Sequence, residues 1–385
     1  MANKRVVIAG SGGIGRAVGL LLREWRAEDI DLVLADASES QLQGAAEFVD
    51  TQGRGTIDTV VIPRDGGSPE LEAALSSSDL VLDCLPGGLA PRVAGWALSH
   101  RLHYANLTEY VAETNQILAM TQGADTGFAL QCGLAPGFVN VLGNSLYQRF
   151  CQQHGVEDID LMKMRVGALT RNAEAPHFYG FTWSPIGVAT EYVKRAVVVR
   201  GGETVEVDSL EEIQTLLIDG LAYEEATTSG GAADLPESLA GRVQHLDYKT
   251  LRYPGHWAWV RQQLRAIGEV PDRIQQLQDR MVSAVPQMED DVVVIYAAVE
   301  SRTPTGRHRL DAAYKVKPST FSGRRLRAIQ STTAAGLAEC ARELLTGRYK
   351  GPRLQSQIDC EDYLDGPFVG AIYGKPMSEK LQAPR

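Results

Sequence analysis

Arg5-Val6-Val7-Ile8-Ala9-Gly10-Ser11-Gly12-Gly13-Ile14-Gly15 is the stretch that decides the fold. A short apolar run leads straight into glycines at 10, 12 and 15, and Ala17, Val18, Leu21 and Leu22 then recur on one face of a helix. In this spacing the first glycine allows a tight turn. The second lets the backbone approach a pyrophosphate, and the third lets helix and strand pack closely. Free N–H groups at the helix start attract the phosphates. A second apolar run, Ile30 to Leu34, ends in Ala35-Asp36, an acid placed to accept hydrogen bonds from adenosine ribose hydroxyls. The pattern predicts a Rossmann unit that holds a dinucleotide through Gly10, Ser11, Gly12, Gly13, Ile14, Gly15 and Asp36. A carboxylate at 36 repels a 2′-phosphate, and Ala37-Ser38-Glu39 supplies no arginine to bind one. The chemistry favours NAD, with NADP not excluded.

The chain has 385 residues, enough for two domains with a large core. Its net charge of −10 argues against nucleic acid and anionic membranes as partners. Five scattered cysteines without a C-x-x-C pattern argue against a disulfide framework or a structural zinc site. The histidines show no ligand spacing, so no metal is expected. The first strand begins within a few residues of the N-terminus and no long apolar span appears, which points to a cytoplasmic protein.

Short apolar runs alternate with amphipathic helices over the first 130 or so residues, as in a parallel sheet. Expected strands are Arg5–Ala9, Ile30–Ala35, Thr56–Ile62, Leu80–Cys84, His103–Ala105 and Phe128–Gln131. The loop holding Leu85 and Pro86 follows the fourth of them, and Thr108 and Glu109 follow the fifth. Ligands of such sheets bind beyond the carboxyl ends of the strands, which places these residues near the cofactor. From about Phe138 the runs lengthen and alternate, at Ile159–Val166, Val197–Val199, Val292–Ala298 and Leu310–Val316. They predict a second α/β domain with a largely antiparallel sheet. A helical stretch is expected at Trp257–Gln278, and another from Thr332 to about Leu345. Thr227 to Pro236, rich in Gly, Ala and Ser, reads as the least structured segment. The expected organisation is a doubly wound nucleotide domain over 1–132, a substrate and dimerisation domain over 133–329, and a segment 330–385 that returns to the first.

Three further stretches carry chemistry. Cys132-Gly133-Leu134-Ala135-Pro136-Gly137 feeds a helix N-terminus, where Leu134, Ala135 and Pro136 could position a nicotinamide; a plain strand-to-helix connection explains the turn equally well. Tyr248-Lys249-Thr250-Leu251-Arg252-Tyr253-Pro254-Gly255-His256 concentrates the groups that clamp a carboxylate and move a proton; its alternative is a solvated charged loop. Phe178-Tyr179-Gly180-Phe181-Thr182-Trp183-Ser184-Pro185 could wall a pocket, although such a cluster is more often core. Lys249, His256 and Glu109 are the candidates for proton transfer. Arg252 and Tyr253 are candidates for carboxylate binding, and Glu109 is also suited to a substrate ammonium.

These segments, in this order, resemble the saccharopine dehydrogenase family, which includes lysine 6-dehydrogenases and carboxynorspermidine dehydrogenases. The resemblance spans nearly the whole chain. It rests on the glycine loop, Gly133-Leu134-Ala135-Pro136-Gly137, Phe181-Thr182-Trp183-Ser184, Thr228-Ser229-Gly230-Gly231, Lys249 to His256, and Thr332-Thr333-Ala334-Ala335-Gly336. It implies a Rossmann domain joined to an α/β substrate domain, a homodimer, and hydride transfer from a carbon bearing nitrogen to a nicotinamide. It also adds Trp183 and Ser229 to the expected substrate site. Saccharopine or L-lysine is the implied substrate, oxidised to an imine that hydrolyses to 2-aminoadipate 6-semialdehyde. The Ala-Pro-Gly turn and the Arg-Tyr-Pro-Gly-His form lean towards the lysine branch. A carboxynorspermidine-type dehydrogenase and a non-catalytic NAD-binding module are the alternatives.

Overall fold

The computed structural model describes residues 3–380 and divides into two compact units. The first comprises residues up to Phe138, Ser319–Leu326 and Gln330–Ile372; the second comprises Val139–Pro318, Arg327–Ile329 and the residues from Tyr373 on. Residues 381–385, the end of the segment expected to return to the first domain, lie outside the described residues.

The first unit is built on a parallel sheet: β1 (Lys4–Ala9), β2 (Ile30–Asp36), β3 (Ile57–Val61), β4 (Leu80–Asp83), β5 (His103–Asn106) and β6 (Gly127–Ala129). A seventh strand, Gly351–Arg353, pairs with β6. The order is β3-β2-β1-β4-β5-β6-(Gly351–Arg353), with every pair parallel. Central strands buried on both faces need unbroken apolar runs, and β1, β2 and β4 supply them with Val6, Val7, Ile8, Leu32, Val33, Leu34, Val81 and Leu82. Strand order reverses between β1 and β4, where the carboxyl ends open a crevice. The long helix near the C-terminus, called the C-terminal helix below although three short helices follow it, runs Ala328–Leu345, starting earlier than the Thr332 expected from sequence.

The second unit is a mixed eight-stranded sheet. Its strands are β7 (Ile159–Thr170), β8 (Ala196–Arg200), β9 (Glu203–Val207), β10 (Gln214–Ile218), β11 (Leu221–Thr227), β12 (Val243–Arg252), β13 (Asp291–Thr303) and β14 (Gly306–Val316). The main order is β10-β11-β12-β7-β13-β14, with β8 pairing β12 and β9. Only β12 and β7 run parallel among the described strands of this sheet. Helices Pro185–Val193, His256–Ile267 and Arg273–Ala284 carry an apolar cluster that includes Tyr179, Phe181, Val188, Tyr192, Trp257, Val260, Leu277 and Met281.

Two expectations need correction here, and one alternative falls away. The single helix expected at Trp257–Gln278 is two helices, because Gly268 ends the first at φ 79° and Pro271 cannot continue it. Tyr248–Arg252 is no loop but part of β12, an inner strand of the sheet. The Gly-rich segment after Thr227 is packed, not loose: a side-chain carbon at Gly231 would sit 2.3 Å from the Tyr248 ring. Glycine is used there for close approach.

Candidate functional site

In the first unit, β1 delivers Gly10 in a left-handed conformation, φ 95°. A Cβ there would lie 2.7 Å from the Cys84 carbonyl carbon, so only glycine lets this loop run beside the end of β4. A Cβ at Gly15 would sit 1.8 Å from Gly10 O, inside van der Waals contact, which is the close helix-to-strand approach expected of that position. Gly12 differs: a methyl group there would meet no atom of a neighbouring element within 4 Å among the described residues. Nothing in the protein demands glycine at 12, whereas an approaching phosphate does. Gly12 is the N-cap of helix Gly13–Arg23 and supplies no side-chain cap, so the first N–H groups remain available to an anion. Ser11 Oγ is buried without a hydrogen-bond partner among the described residues.

Asp36 accepts from Ser11 N at 2.8 Å and Ser38 N at 3.0 Å, tying the end of β2 to the glycine loop. Each carboxylate oxygen keeps a second lone pair for a ribose hydroxyl. The open cradle at Gly12, the orphaned Ser11 hydroxyl and the anchored Asp36 together fit a dinucleotide. Gly13 O accepts from Gln330 on the C-terminal helix at 3.4 Å, and Ile14 lies in the first turn of helix Gly13–Arg23.

The other expected cofactor residues sit on the loops after β4, β5 and β6. Leu85 N donates to Asp83 at 3.0 Å, and Pro86 leads into a short turn at Gly87–Leu89. A Cβ at Gly87 would meet Thr108 Oγ1 at 2.5 Å, so these two loops touch through a glycine. Glu109 follows, half-buried. Leu134, Ala135 and Pro136 form a turn closed by Phe138 N donating to Gly133 O at 3.0 Å. A Cβ at Gly336 would lie 2.4 Å from Gly133 O, which explains the small residues of the Thr332–Gly336 motif: the C-terminal helix lies almost on the turn.

The sequence reading passed over Asp83, the last residue of β4. It is 3% exposed, accepts from Tyr104 Oη at 2.8 Å and from Leu85 N, and burial pushes its pKa up to about 7. An acid closing an apolar strand just before Cys84-Leu85-Pro86-Gly87-Gly88 was the available signal. Burial raises Glu343 to about 7 as well. A group raised on folding holds more protons folded than unfolded, so its contribution is complete below about pH 4 and is lost as pH rises through about 7. Thermal stability is therefore expected to fall between pH 5 and pH 8. Asp83→Asn, which can still accept from Leu85 N, should reduce that fall between pH 5 and pH 8 by up to about 2.5 kcal/mol. Unfolding curves at both pH values check it; an unchanged slope in the variant would clear Asp83 of the effect.

In the second unit β12 sorts the polar motif onto two faces. Successive side chains on a strand point to opposite sides, so Lys249 and Arg252 cannot share a pocket. On one face Lys249 Nζ, 2% exposed, donates to Glu212 O at 2.8 Å and pairs with Glu212 Oε2 at 3.2 Å and Glu225 Oε1 at 3.8 Å. It belongs to a buried ladder in which Arg165 pairs with Glu225 at 2.7 Å and Asp247 at 2.6 Å, and Arg200 with Asp247 at 3.0 Å. Lys249, expected as a proton-transfer group, thus has its ammonium paired with Glu212 and Glu225. Tyr253 packs against Tyr223 and donates to Thr170 O at 3.0 Å, with the apolar cluster of Leu251 rather than with Arg252.

Arg252 lies on the other face, 1% exposed. Its guanidinium carbon sits 4.7 Å from the Tyr179 ring centroid, 5.7 Å from that of Tyr192 and 5.8 Å from that of Trp257. Nε donates to Tyr192 Oη at 2.8 Å and Nη1 to Leu251 O at 3.0 Å; Nη2 has no hydrogen-bond partner among the described residues. Burial works against its charge, but Tyr192, Tyr179 and Glu191 outweigh burial and raise its pKa. His256 is completely buried, with Nε2 3.1 Å from Tyr192 Oη and Nδ1 2.6 Å from His177 O. Burial and the neighbouring Arg252 push its pKa down to about 3. His256, also expected as a proton-transfer group, has both ring nitrogens engaged, and burial favours the neutral ring. Ser229 is buried and its N–H donates to Glu191 O at 3.1 Å; Trp183 is half-buried, its ring lying where a Cβ at Gly187 would be, 2.5 Å away. The sequence reading missed Tyr192, and it named Tyr179 only within the aromatic cluster; both stand far from the Lys249–His256 motif and meet Arg252 only through the fold.

No helix among the described residues is long and apolar enough to cross a membrane, and no cluster of His, Cys, Asp or Glu among them is arranged to hold a metal.

Comparison with known proteins agrees with this geometry. Residues 6–129 match the model of the saccharopine dehydrogenase NADP binding domain, and residues 133–364 match that of the saccharopine dehydrogenase C-terminal domain. The mitochondrial alpha-aminoadipic semialdehyde synthase of Rattus norvegicus is 24% identical over 206 residues, 53% of this chain and 21% of that protein. The Mus musculus counterpart is 23% identical over 218 residues. The chain thus spans about a fifth of the length of these curated relatives. Apo saccharopine dehydrogenase (L-Glu forming) from Saccharomyces cerevisiae superposes with a TM-score of 0.75 at 15% identity, covering 97% of this chain and 98% of that one. Homospermidine synthase from Legionella pneumophila, solved with NAD, gives 0.66 at 12% identity, covering 98% and 91%. At such identities the superpositions speak for the fold, while the two family models between them account for most of the chain: it belongs to the saccharopine dehydrogenase family and carries that family's NAD(P)-binding domain.

Proposed function

We propose that this chain is an NAD-dependent dehydrogenase that oxidises a C–N bond of saccharopine or L-lysine, giving an imine that hydrolyses to 2-aminoadipate 6-semialdehyde. The observation that carries the reading is Arg252: a permanently charged guanidinium, buried among three aromatic rings, whose Nη2 donates no hydrogen bond to a described residue. A buried cation is costly unless paired, and a carboxylate fits the guanidinium fork. Both proposed substrates carry one. Family membership and the cradle at Gly12 support a dinucleotide as the redox partner.

The bound nicotinamide supplies the acceptor for the hydride. The protein's part is to bind and orient. Gly12 and the helix start behind it hold the phosphates, and Asp36 holds the adenosine ribose. Arg252 holds a substrate carboxylate; a carboxylate such as that of Glu109, on the loop after β5, has the chemistry to take the proton that the substrate nitrogen gives up. The substrate carbon gives up its hydrogen with the electron pair, the nitrogen gives up a proton, and water adding to the C=N bond releases the amine. Water exclusion around Arg252 comes from Tyr179, Tyr192 and Trp257, all buried.

The test is NADH formation with saccharopine, L-lysine and carboxynorspermidine, each with NAD and with NADP. Turnover of saccharopine or lysine is expected. Turnover of carboxynorspermidine alone, or none with NAD still bound, would overturn the reading. NAD should be preferred over NADP by about tenfold or more, since a carboxylate facing a 2′-phosphate costs about 1.4 kcal/mol or more. Asp36→Ser should narrow that preference, read as the ratio of the two kcat/KM values; an unchanged ratio would mean that Asp36 does not select the nucleotide.

A further inference from the structure

A chain of hydrogen bonds runs from a main-chain carbonyl to the Arg252 guanidinium, and its polarity follows from the groups themselves. His177 O can only accept, so His256 Nδ1 carries the ring proton at 2.6 Å. His256 Nε2 is then an acceptor, and the Tyr192 hydroxyl, 3.1 Å away, donates to it. Tyr192 keeps its proton because burial raises its pKa. With that proton turned to His256, the hydroxyl lone pairs face Arg252 Nε at 2.8 Å. Every link is buried, and none brings a negative charge to the guanidinium. Glu191, on the same helix as Tyr192, is the acid that acts on Arg252 electrostatically.

We infer that Tyr192 and His256 are positioning residues, which hold the Arg252 guanidinium at one rotation about its long axis so that its Nη2 edge takes a substrate carboxylate. A phenylalanine at 192 would fill the same space beside Trp257, at 5.1 Å between ring centroids, but would leave Nε without its acceptor. A lysine or a freely rotating arginine could supply charge at this place, but not a fork of fixed orientation. The carboxylate is bound alike before and during the chemical step, so loosening the fork raises KM and leaves kcat nearly alone. This inference rests on the proposed reading of Arg252 as the carboxylate anchor.

The experiment compares wild type, Arg252→Ala, Tyr192→Phe and His256→Leu. Each is assayed with saccharopine and L-lysine and with their carboxamides, and folding is checked by circular dichroism. For Tyr192→Phe we expect KM for the turned-over substrate to rise about tenfold or more with kcat within about threefold. The preference for carboxylate over carboxamide should shrink by a similar factor, which a merely structural defect would not produce. His256→Leu frees the Tyr192 hydroxyl to turn and should shift the same two quantities in the same direction. Unchanged KM and preference in both variants, with Arg252→Ala impaired, would overturn this inference alone. Full turnover in Arg252→Ala, or no turnover by wild type, would overturn the underlying reading and this inference with it. Unfolding of both variants would make the network a folding element and overturn the positioning role.

Discussion

Arg252→Ala is expected to lower kcat/KM for the amino-acid substrate by roughly 30- to several-thousand-fold while NADH affinity stays within about twofold. Removing one partner of a desolvated charge pair typically costs about 2–5 kcal/mol, and here the remaining partner would be a substrate carboxylate among Tyr179, Tyr192 and Trp257. Arg252 contacts only residues of the second unit in the bonds described, so the glycine loop of the first should keep its nucleotide. Arg252→Lys should recover part of the loss, because a lysine restores charge without the planar fork. Steady-state kinetics together with NADH fluorescence titration separate the two quantities. Normal turnover at normal KM would remove Arg252 from the site, and loss of NADH binding would show that the variant acts through more than the substrate.

The second large effect is expected at Gly15. A Cβ there would lie 1.8 Å from Gly10 O, and the backbone must move to admit it. Forcing one carbon into a packed place typically costs about 1–3 kcal/mol. The shift would fall on the loop that holds Ser11, and with it the Ser11 N to Asp36 bond. Gly15→Ala should therefore lower the melting temperature and weaken NAD by about 100-fold or more. Gly12→Ala is its counterpart. Its methyl group meets no atom of a neighbouring element within 4 Å among the described residues, so stability should change by no more than about 1 kcal/mol, the scale of an N-cap change, yet NAD affinity should fall just as steeply because the methyl fills the phosphate cradle. Thermal melting and NAD titration of both variants check the pair. Equal loss of stability in the two, or undiminished NAD binding in Gly12→Ala, would refute the account of the loop.

Much of the first unit could be read from sequence, because its signals are local. The glycine loop, the apolar runs of β1, β2 and β4, and the acid at 36 each lie within a few residues of what they determine. Asp83 escaped notice because nothing local shows that an acid ending a strand will be buried under Tyr104. The second unit shows where sequence stops. Lys249, Arg252, Tyr253 and His256 are neighbours in the chain and read as one pocket, and their residue types suggested a charged loop as its alternative. The charges are tolerated in a buried strand because partners arrive from elsewhere: Glu225 from β11, Arg165 from β7, Glu212 from the loop before β10.

The sequence by itself determined the doubly wound sheet, the dinucleotide loop and the family, since turn geometry, helix starts and apolar periodicity act over a few residues. Only the tertiary structure decided which partners each polar residue of the motif meets. Strand alternation sent Lys249 to the ion-pair ladder and Arg252 to the aromatic shell, and burial set the His256 ring between Tyr192 and His177. Whether a charged or titratable side chain is spent on the protein or kept for a ligand depends on the groups that face it, and those come from segments far apart in the chain.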